Sequence, residues 1–383
     1  MRVSLFRDIP EEKLYSMEGY ADELAKHLRL VATEAQKSSP LELKEVTVHK
    51  TGFIRPTRIL LRHLPVLKYY VNDLYFSRYV LYPPRARFSQ GEVNHVVDNS
   101  YGFLVNSLDP TKTVVTCHDL IGLTYETGEV ERKVFRHALA GMVKAKKIIA
   151  VSKRTKKRIL EEFPISEEKV TVVYSGVDEE FDRVTNPFEL ERVKEKYHLP
   201  TGFLILNVGS TLRYKNIEGL LTAFSAFLKL APEAWLVKAG GEFTKEQQVL
   251  ISQLGIGQKI RSLGFVPEKD LVTLFSSVNV LASPSWEEGF GWTPLEAAAC
   301  GCPVVVSDRC GLAEVPSGGA EVINPENTEE IVQAIAKIKT KLARNEFDRS
   351  RLIDTARKFS WHDCARQTLE VYQEVYKSNT RRV

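Results

Sequence analysis

The sequence predicts an α/β protein with two domains, each built on a sheet of parallel strands. Two apolar strand patterns, Arg2–Phe6 and 202–208, are each followed by a loop and an amphipathic helix. Such strand–loop–helix units are typical of Rossmann-like sheets, which bind ligands at the carboxyl ends of their strands. The chain has 383 residues, enough for two domains of ordinary size.

The composition is that of a globular protein with real cores, at 43% hydrophobic residues. No apolar run is long enough for a transmembrane helix, and the first residues do not form a signal peptide, so neither is expected. The five cysteines include Cys300-x-Cys302 but no metal-like spacing, which favours a reducing cytoplasm. A net charge of +4 does not indicate a nucleic-acid partner.

The first domain is predicted to continue with a loop over 8–19, containing Gly19, and a helix over 20–32. Further strands are predicted by short apolar runs at 43–49, 92–98, Thr113–Cys117, 147–151 and 170–174. His118 follows directly on one of these strands, where α/β proteins bind ligands. We therefore single out His118 as a binding residue and interpret His95 and His137 as structural.

The segment 51–90 is basic and aromatic, with seven Lys or Arg residues against one acid, Asp73. One interpretation is peripheral docking on the anionic inner face of a membrane, or binding of an acidic acceptor. The other is a pair of helices with an aromatic core face and a solvated basic face. We favour the second interpretation.

The second domain is predicted to place Arg213 and Lys215 in the loop between its first strand and the helix 217–230. The loop begins at Gly209. Cations at this position can balance a diphosphate and stabilise it as it leaves. The alternative is that both are ordinary exposed surface charges.

The stretch 282–308 organises the second domain as strand, glycine loop, short helix and strand. Gly289 and Gly291 let the backbone approach a ligand closely. Thr293 is expected as the N-cap, with Pro294 as the first helical residue. A helix N-terminus that faces a loop without side chains favours phosphate groups.

Two acids, Glu288 and Glu296, lie eight positions apart in this loop and helix. An ionised carboxylate accepts two hydrogen bonds, so its natural partner is a vicinal diol of ribose or hexose. The alternative for Glu296 is purely structural, because Thr293 and Glu296 also have the spacing of a capping box. The residues alone leave both interpretations open.

The stretch EGFGWTPLEAAACGCPVV resembles the signature of the family-four retaining glycosyltransferases, in which two glutamates are separated by seven residues. That resemblance implies the GT-B architecture, with two Rossmann-like domains facing across a cleft. It also implies that Glu296 binds the ribose of a nucleotide-sugar donor and that Glu288 contacts the donor sugar.

Other parts of the chain extend the resemblance. VVTCHDLIGL is similar to the family's segment that brings a histidine, here His118, to the donor sugar, and the family's diphosphate clamp falls on Arg213 and Lys215. The loop 264–267 resembles the loop that lies against the nucleotide base. The catalytic candidates implied are Glu288, His118, Arg213 and Lys215. The donor-binding candidates are Glu296, Gly209, Gly264, Phe265, Gly289, Phe290, Gly291, Trp292 and Thr293.

The resemblance implies an acceptor domain over 1–180, a donor domain over 181–361, and a C-terminal helix over 362–383 that packs back on the first domain. No Asp-x-Asp motif occurs, so we expect transfer without a metal or other cofactor. The expected reaction moves a hexose from GDP-mannose or a UDP-sugar to a glycan, lipid-linked or small-molecule acceptor, as in polysaccharide biosynthesis. The alternatives are another GT-B enzyme (a phosphorylase or nucleotide-sugar epimerase) or a nucleotide-binding scaffold at a membrane without turnover.

Overall fold

A computed structural model describes residues 1–34, 41–51, 73–125, 128–314 and 319–380, apart from the side chain of Tyr15. The chain forms two compact units. The first comprises Met1–Gly176 and Trp361–Val383, and the second comprises Val177–Ser360. The sequence analysis placed the domain boundaries after residues 180 and 361.

Each unit alternates strands and helices, which confirms the predicted α/β class. The strands are β1 (Arg2–Phe6), β2 (Glu42–Val46), β3 (Val93–Val96), β4 (Thr113–Cys117), β5 (Lys147–Ala150), β6 (Val170–Val172), β7 (Leu204–Gly209), β8 (Trp235–Gly240), β9 (Ile260–Gly264), β10 (Val280–Ser283), β11 (Val304–Ser307) and β12 (Glu321–Ile323). The α-helices are α1 (Tyr15–Glu34), α2 (Asp73–Phe76), α3 (Tyr82–Phe88), α4 (Ile121–Tyr125), α5 (Glu129–Met142), α6 (Lys153–Glu162), α7 (Pro187–Lys196), α8 (Ile217–Phe227), α9 (Lys245–Leu254), α10 (Glu268–Ser277), α11 (Trp292–Ala299), α12 (Thr328–Ala343), α13 (Arg349–Ala356) and α14 (Trp361–Thr380).

The first unit has a parallel sheet in the order β2-β1-β3-β4-β5-β6. The inner strands β1, β3, β4 and β5 are almost wholly buried, as expected for a sheet covered by helices on both faces, whereas the edge strand β2 is largely exposed. The C-terminal helix α14 belongs to this unit and packs on α1. The strand order reverses direction between β1 and β3, and that reversal is the topological switch point at which such sheets bind ligands.

The second unit has a parallel sheet in the order β12-β11-β10-β7-β8-β9. Counted from its own first strand, this is the order 3-2-1-4-5-6 of a Rossmann fold, with the switch point between β7 and β10. The helices α8 and α12 bury their apolar faces against this sheet in a single core. The loops after β7 and β10 therefore meet at the position where a ligand is expected.

The structure corrects the predicted loop over 8–19. A 3₁₀ turn at Pro10–Glu12 follows β1, and α1 begins at Tyr15, so Gly19 lies inside a helix. Residues 178–200 belong to the second unit. There α7 packs on α10, and Asp270 accepts hydrogen bonds from Arg192 and Lys196.

The basic and aromatic segment 51–90 is described only in part, because residues 52–72 lie outside the described residues. In the described part, Tyr82 is fully buried and its hydroxyl donates to the carbonyl oxygen of Val46 at 2.6 Å. Arg78 donates to both oxygens of Glu12 at 2.9 Å and stacks 4.0 Å from the ring centre of Tyr101. These contacts are those of a packed core.

Among the described residues, no helix combines the length and the apolar content that crossing a bilayer requires.

Candidate functional site

The switch point of the second unit begins at Gly209, the last residue of β7. Its φ of 120° lies in the region that favours glycine, and apart from its two chain neighbours no described residue has an atom within 4 Å of the position of an added Cβ. A 3₁₀ turn, Arg213–Lys215, follows and leads into α8. The backbone at Gly209 thus borders open space, which leaves room for a ligand to approach it.

Asn216 joins the two loops at this switch point. It has a φ of 53°, and its side-chain oxygen caps α8 by accepting from the N–H of Gly219 at 3.2 Å. Its amide nitrogen donates to the carbonyl oxygens of Pro284 and Pro325, each at 3.0 Å. The sequence analysis assigned no role to Asn216, although Asn is a residue that tolerates left-handed backbone and caps helices.

Lys215 and Glu288 form an ion pair between the loops after β7 and β10. The Nζ of Lys215 lies 2.9 and 3.1 Å from the two carboxylate oxygens, and the side chains are 21% and 15% exposed. Burial opposes the charge of Lys215, but the Glu288 carboxylate outweighs it and raises the pKa of Lys215. The sequence placed these residues 73 positions apart, and the fold brings them into contact.

Helix α11 begins two residues earlier than predicted. Gly291, with a φ of 89°, occupies the N-cap position and Trp292 is the first helical residue. The prediction of Thr293 as the N-cap is wrong, because Thr293 lies within the first turn and the N-cap position is occupied by Gly291, which has no side chain. A Cβ on Gly291 would lie 2.3 Å from the Sγ of Cys310, so only glycine fits there.

The other end of α11 is closed by a glycine. Gly301 has a φ of 69°, its N–H donates to Ala298, and the N–H of Cys302 donates to Ala297. This is the pair of hydrogen bonds of a Schellman motif.

Glu296 lies in α11 and is not part of a capping box, because the N-cap residue is a glycine. Among the residues that the structure describes, none donates a hydrogen bond to its carboxylate or forms an ion pair with it. Burial raises the pKa of Glu296 to about 8, and the nearby acids Glu268 and Asp178 add to the shift. A partly buried carboxyl group without a partner is suited to binding a hydroxyl-bearing ligand.

The remaining donor-site candidates differ in what their side chains offer. Arg213 is exposed, and the described part of the chain supplies no carboxylate to pair with it. Phe265 is 83% exposed and follows Gly264, whose φ is 65°. Phe290 is buried with its ring 5.4 Å from that of Phe359, so its side chain belongs to the core.

Lys238 in β8 is a site feature that the sequence analysis missed. It is 2% exposed, and its Nζ donates to the carbonyl oxygens of Gly209 at 2.6 Å and Ala239 at 2.8 Å. Burial lowers its pKa to about 8, and the charge of Lys215 contributes. The signal in the sequence was a lysine inside an apolar strand, Trp235–Gly240, where lysine is rare.

His118 lies in the first unit, directly after β4 as predicted, and is buried. Its Nε2 is 2.8 Å from the carbonyl oxygen of Val97, and the ring packs edge-on against Tyr20 at 4.6 Å. A carbonyl only accepts, so Nε2 carries the proton, and a contact with a substrate would use Nδ1. Burial lowers the pKa of His118, although Asp98 opposes the shift, so the neutral ring is favoured.

His95 is structural, as interpreted from the sequence. Its ring nitrogens lie 2.6 Å from the hydroxyl of Tyr372 and 2.8 Å from that of Thr116, which joins β3 and β4 to α14. Burial lowers its pKa to about 3, so it stays neutral. The hydroxyl of Tyr20 lies 3.3 Å from the same Thr116 oxygen, so this network supports the residue that packs on His118.

The switch point of the first unit holds two buried acids, Asp8 after β1 and Asp98 after β3. Burial and the neighbouring Asp98 carboxyl raise the pKa of Asp8 well above its ordinary value. The sequence analysis did not identify this pair, because neither acid belongs to a recognisable motif.

Comparison with known proteins gives the family. The family description "Glycosyl transferases group 1" matches residues 190–359, and "Glycosyltransferase Family 4" matches residues 31–181. Together the two matches include both units.

Curated relatives point the same way. The chain is 29% identical over 280 residues to the serotype-specific mannosyltransferase WbdA of Escherichia coli, covering 70% of this chain and 34% of WbdA. It is 28% identical over 268 residues to the O-antigen chain mannosyltransferase B of Escherichia coli, covering 68% of this chain and 70% of the relative. The match thus spans about a third of the length of WbdA.

Solved structures share the fold. The structure of Anabaena Alr3699/HepE in complex with UDP and glucose superposes with a TM-score of 0.72 at 17% identity, covering 97% of this chain and 99% of that one. Sucrose-phosphate synthase from Thermosynechococcus elongatus superposes with a TM-score of 0.70 at 17% identity, covering 99% and 100%. With both family matches and this fold, the chain belongs to the group 1 glycosyltransferases of family four, which have the GT-B fold.

Proposed function

We propose that the protein is a retaining glycosyltransferase that moves mannose from a nucleoside diphosphate sugar to a glycan acceptor without a metal ion. The observation that carries the proposal is the switch point of the second unit. There the Lys215–Glu288 pair lies beside the start of α11, whose N-cap residue is Gly291. A cation beside a helix N-terminus is an arrangement that binds a diphosphate.

In this proposal the donor diphosphate binds Lys215, Arg213 and the first turn of α11. The exposed side chain of Arg213 belongs to the same 3₁₀ turn as Lys215, two residues earlier. Gly209 leaves room for the phosphates to approach the backbone. Phe265 offers an exposed ring on which the nucleotide base stacks.

Glu296 binds the ribose diol. Its carboxyl group lacks a partner within the described residues, and two ribose hydroxyls supply the hydrogen bonds that its ionised form accepts. Because burial raises its pKa to about 8, ribose binding at neutral pH releases a proton from Glu296. Glu288 holds Lys215 in place and contacts the donor sugar.

The proposed reaction needs no enzymatic nucleophile. The bond between the sugar C1 and the β-phosphate oxygen breaks, and the acceptor oxygen bonds to C1 on the same face. The acceptor proton passes to an oxygen of the leaving β-phosphate. Lys215 and Arg213 stabilise the negative charge that develops there, which is the usual role of fixed cations at a leaving group.

His118 contributes a hydrogen-bond acceptor to the sugar. With Nε2–H donated to Val97 and the neutral ring favoured, Nδ1 accepts from a sugar hydroxyl. The same tautomer does not donate to phosphate, so of the two roles expected from the sequence we propose the contact with a hydroxyl.

The choice of mannose and of a glycan acceptor is supported by the names of the relatives WbdA and O-antigen chain mannosyltransferase B. GDP-mannose is our first candidate as the donor, and a UDP-sugar is the alternative.

The proposal is tested by incubating the protein with GDP-mannose or a UDP-sugar and a panel of mannose-terminated glycans. We expect release of the nucleoside diphosphate that depends on the acceptor, a product with the anomeric configuration of the donor, and no loss of rate in EDTA. Release without an acceptor, or a change of the donor sugar alone, would indicate an epimerase. Binding without turnover on any acceptor would indicate a scaffold and contradict the proposal.

Glu296 provides a second test. Donor binding favours its ionised form, so affinity for a nucleoside diphosphate should rise as pH increases from 6 towards 8. The Glu296→Gln variant should lose this rise and bind about 10-fold more weakly at pH 8, because a hydrogen bond to a charged group is worth about 1.5–3 kcal/mol. Equal affinities in both proteins at each pH would show that Glu296 does not bind the ribose.

A further inference from the structure

Lys238 is a buried lysine that the proposed function leaves unused. It lies on β8, the strand next to one edge of the second sheet, where its register partners are Asn207 on β7 and Ser262 on β9. Neither partner titrates, and the charge that acts on Lys238 is that of Lys215. Its two hydrogen-bond acceptors are backbone carbonyls, so no described carboxylate compensates its charge.

The carbonyl oxygen of Gly209 is one of the two acceptors of Lys238. This oxygen also accepts from the N–H of Gly241 at 2.9 Å. Gly240 has a φ of 98°, and a Cβ there would lie 2.5 Å from the same oxygen, so a glycine is needed beside it. The two hydrogen bonds hold the carbonyl of Gly209, the residue at which the loop carrying Arg213 and Lys215 begins.

We propose that Lys238 is a positioning residue of the donor site: by holding the Gly209 carbonyl, it fixes the loop that presents Arg213 and Lys215 to the donor diphosphate. This inference rests on the proposed function. Lys238 does not touch the substrate in this proposal, and it acts on the donor site through the backbone of Gly209.

The choice of a lysine at this position has an electrostatic consequence. Burial and the neighbouring Lys215 both disfavour the ammonium form of Lys238. A bound diphosphate brings negative charge to the same end of the sheet and favours that form. Diphosphate binding is therefore linked to the protonation of Lys238. Removal of that proton above pH 8 weakens both the hydrogen bond from Lys238 to the Gly209 carbonyl and the binding of the diphosphate.

The test is calorimetric titration of GDP and GMP, and of UDP and UMP, into the wild-type protein, Lys238→Met and Lys238→Arg. The ratio of diphosphate to monophosphate affinity isolates the contribution of the β-phosphate, because both ligands carry the ribose that Glu296 binds. Lys259→Met is the matched control. Lys259 is half-buried beside Trp235 at the opposite end of the same sheet.

We expect the ratio to fall about 10-fold or more in Lys238→Met, to recover in part in Lys238→Arg, and to stay unchanged in Lys259→Met. In the wild-type protein the ratio should decline between pH 7 and 9, and in Lys238→Met it should be flat. Thermal unfolding of each variant reports whether it folds.

An unchanged ratio in a folded Lys238→Met would overturn the inference. So would a wild-type ratio that is constant from pH 7 to 9, and this result does not depend on any variant folding. If the wild-type protein binds no nucleoside diphosphate, the proposed function fails, and the inference falls with it for a reason that the wild-type titration alone identifies.

Discussion

Each unit has a pair of neighbouring charged or titratable side chains at its switch point. In the first unit, between β1 and β3, the pair is Asp8 and Asp98. In the second unit, between β7 and β10, the pair is Lys215 and Glu288. Both pairs occupy the same place in related sheets. The first pair is two buried acids, and the pKa of Asp8 is raised well above its ordinary value by burial and by the neighbouring Asp98 carboxyl. The second is a cation and an anion, each partly exposed.

The difference shows that one architecture can carry two kinds of side chain at the carboxyl ends of its strands. The first unit offers neutral hydrogen-bonding groups, with His118 held in its neutral form beside Asp98. The second offers cations and a helix N-terminus, which suit a leaving group that gains negative charge. The strand order brings the loops together, and the side chains on those loops decide the chemistry.

The largest expected effect tests the charged pair. Glu288→Gln removes the counter-charge of Lys215 and should lower the free energy of unfolding by about 2 kcal/mol, less than the 3–5 kcal/mol of a fully buried pair. The measurement is urea unfolding of both single variants (Glu288→Gln and Lys215→Met) and of the double variant. The double-mutant cycle should give a coupling above about 1 kcal/mol. Additive effects, within about 0.3 kcal/mol, would show that the pair is not coupled.

The next effect concerns the first unit. His118→Ala should lower the transfer rate roughly 10-fold, about 1.4 kcal/mol, because one hydrogen bond to the sugar is lost. Affinity for the free nucleoside diphosphate should not change, since its binding groups lie in the second unit. His137→Ala, at an exposed position of α5, is the control. A loss of diphosphate affinity in His118→Ala would contradict the proposal that His118 contacts the sugar and that the second unit binds the diphosphate.

A smaller effect is expected at the pair of acids. Asn resembles a protonated Asp, so Asp8→Asn should change stability at pH 7 by less than about 1 kcal/mol. The folded protein keeps a proton on Asp8 that the unfolded chain releases, so wild-type stability should fall as pH rises above the ordinary pKa of 3.8.

Urea unfolding midpoints from pH 4 to 8 would measure this fall in stability. The fall should disappear in Asp8→Asn. It should remain in the control variant Asp354→Asn, which changes an exposed acid of α13. Identical slopes in the wild type and Asp8→Asn would mean that Asp8 is ionised in the folded protein.

The smallest effect is expected at Thr293. A true N-cap contributes about 1 kcal/mol, but Thr293 lies inside α11, so Thr293→Ala should change stability by less than about 0.5 kcal/mol. Asn216→Ala is the contrast, because it removes a real cap and leaves the carbonyls of Pro284 and Pro325 without that donor. If Thr293→Ala costs as much as Asn216→Ala, the start of α11 is wrongly placed.

The strands and the loop that holds His118 were predictable because buried parallel strands are continuous apolar runs, and their carboxyl ends are where α/β proteins place binding groups. The helix start at Gly291 was not. Thr293-Pro294 has the local signature of a helix start, but contact of Gly291 with Cys310 and the loop geometry set the first turn earlier. Gly19 was misplaced for a similar reason, since the packing of α1 outweighs the weak helix propensity of one glycine.

By itself, the sequence determined the alternation of strands and helices, the two carboxylates eight residues apart and the two cations after Gly209, because these follow from local periodicity and spacing. Only the tertiary structure decided that Lys215 meets Glu288, that Lys238 donates to the Gly209 carbonyl and that burial raises the pKa of Asp8. Those outcomes depend on which loops the strand order brings together and on how far burial removes each charge from water, and neither quantity is a property of neighbouring residues in the chain.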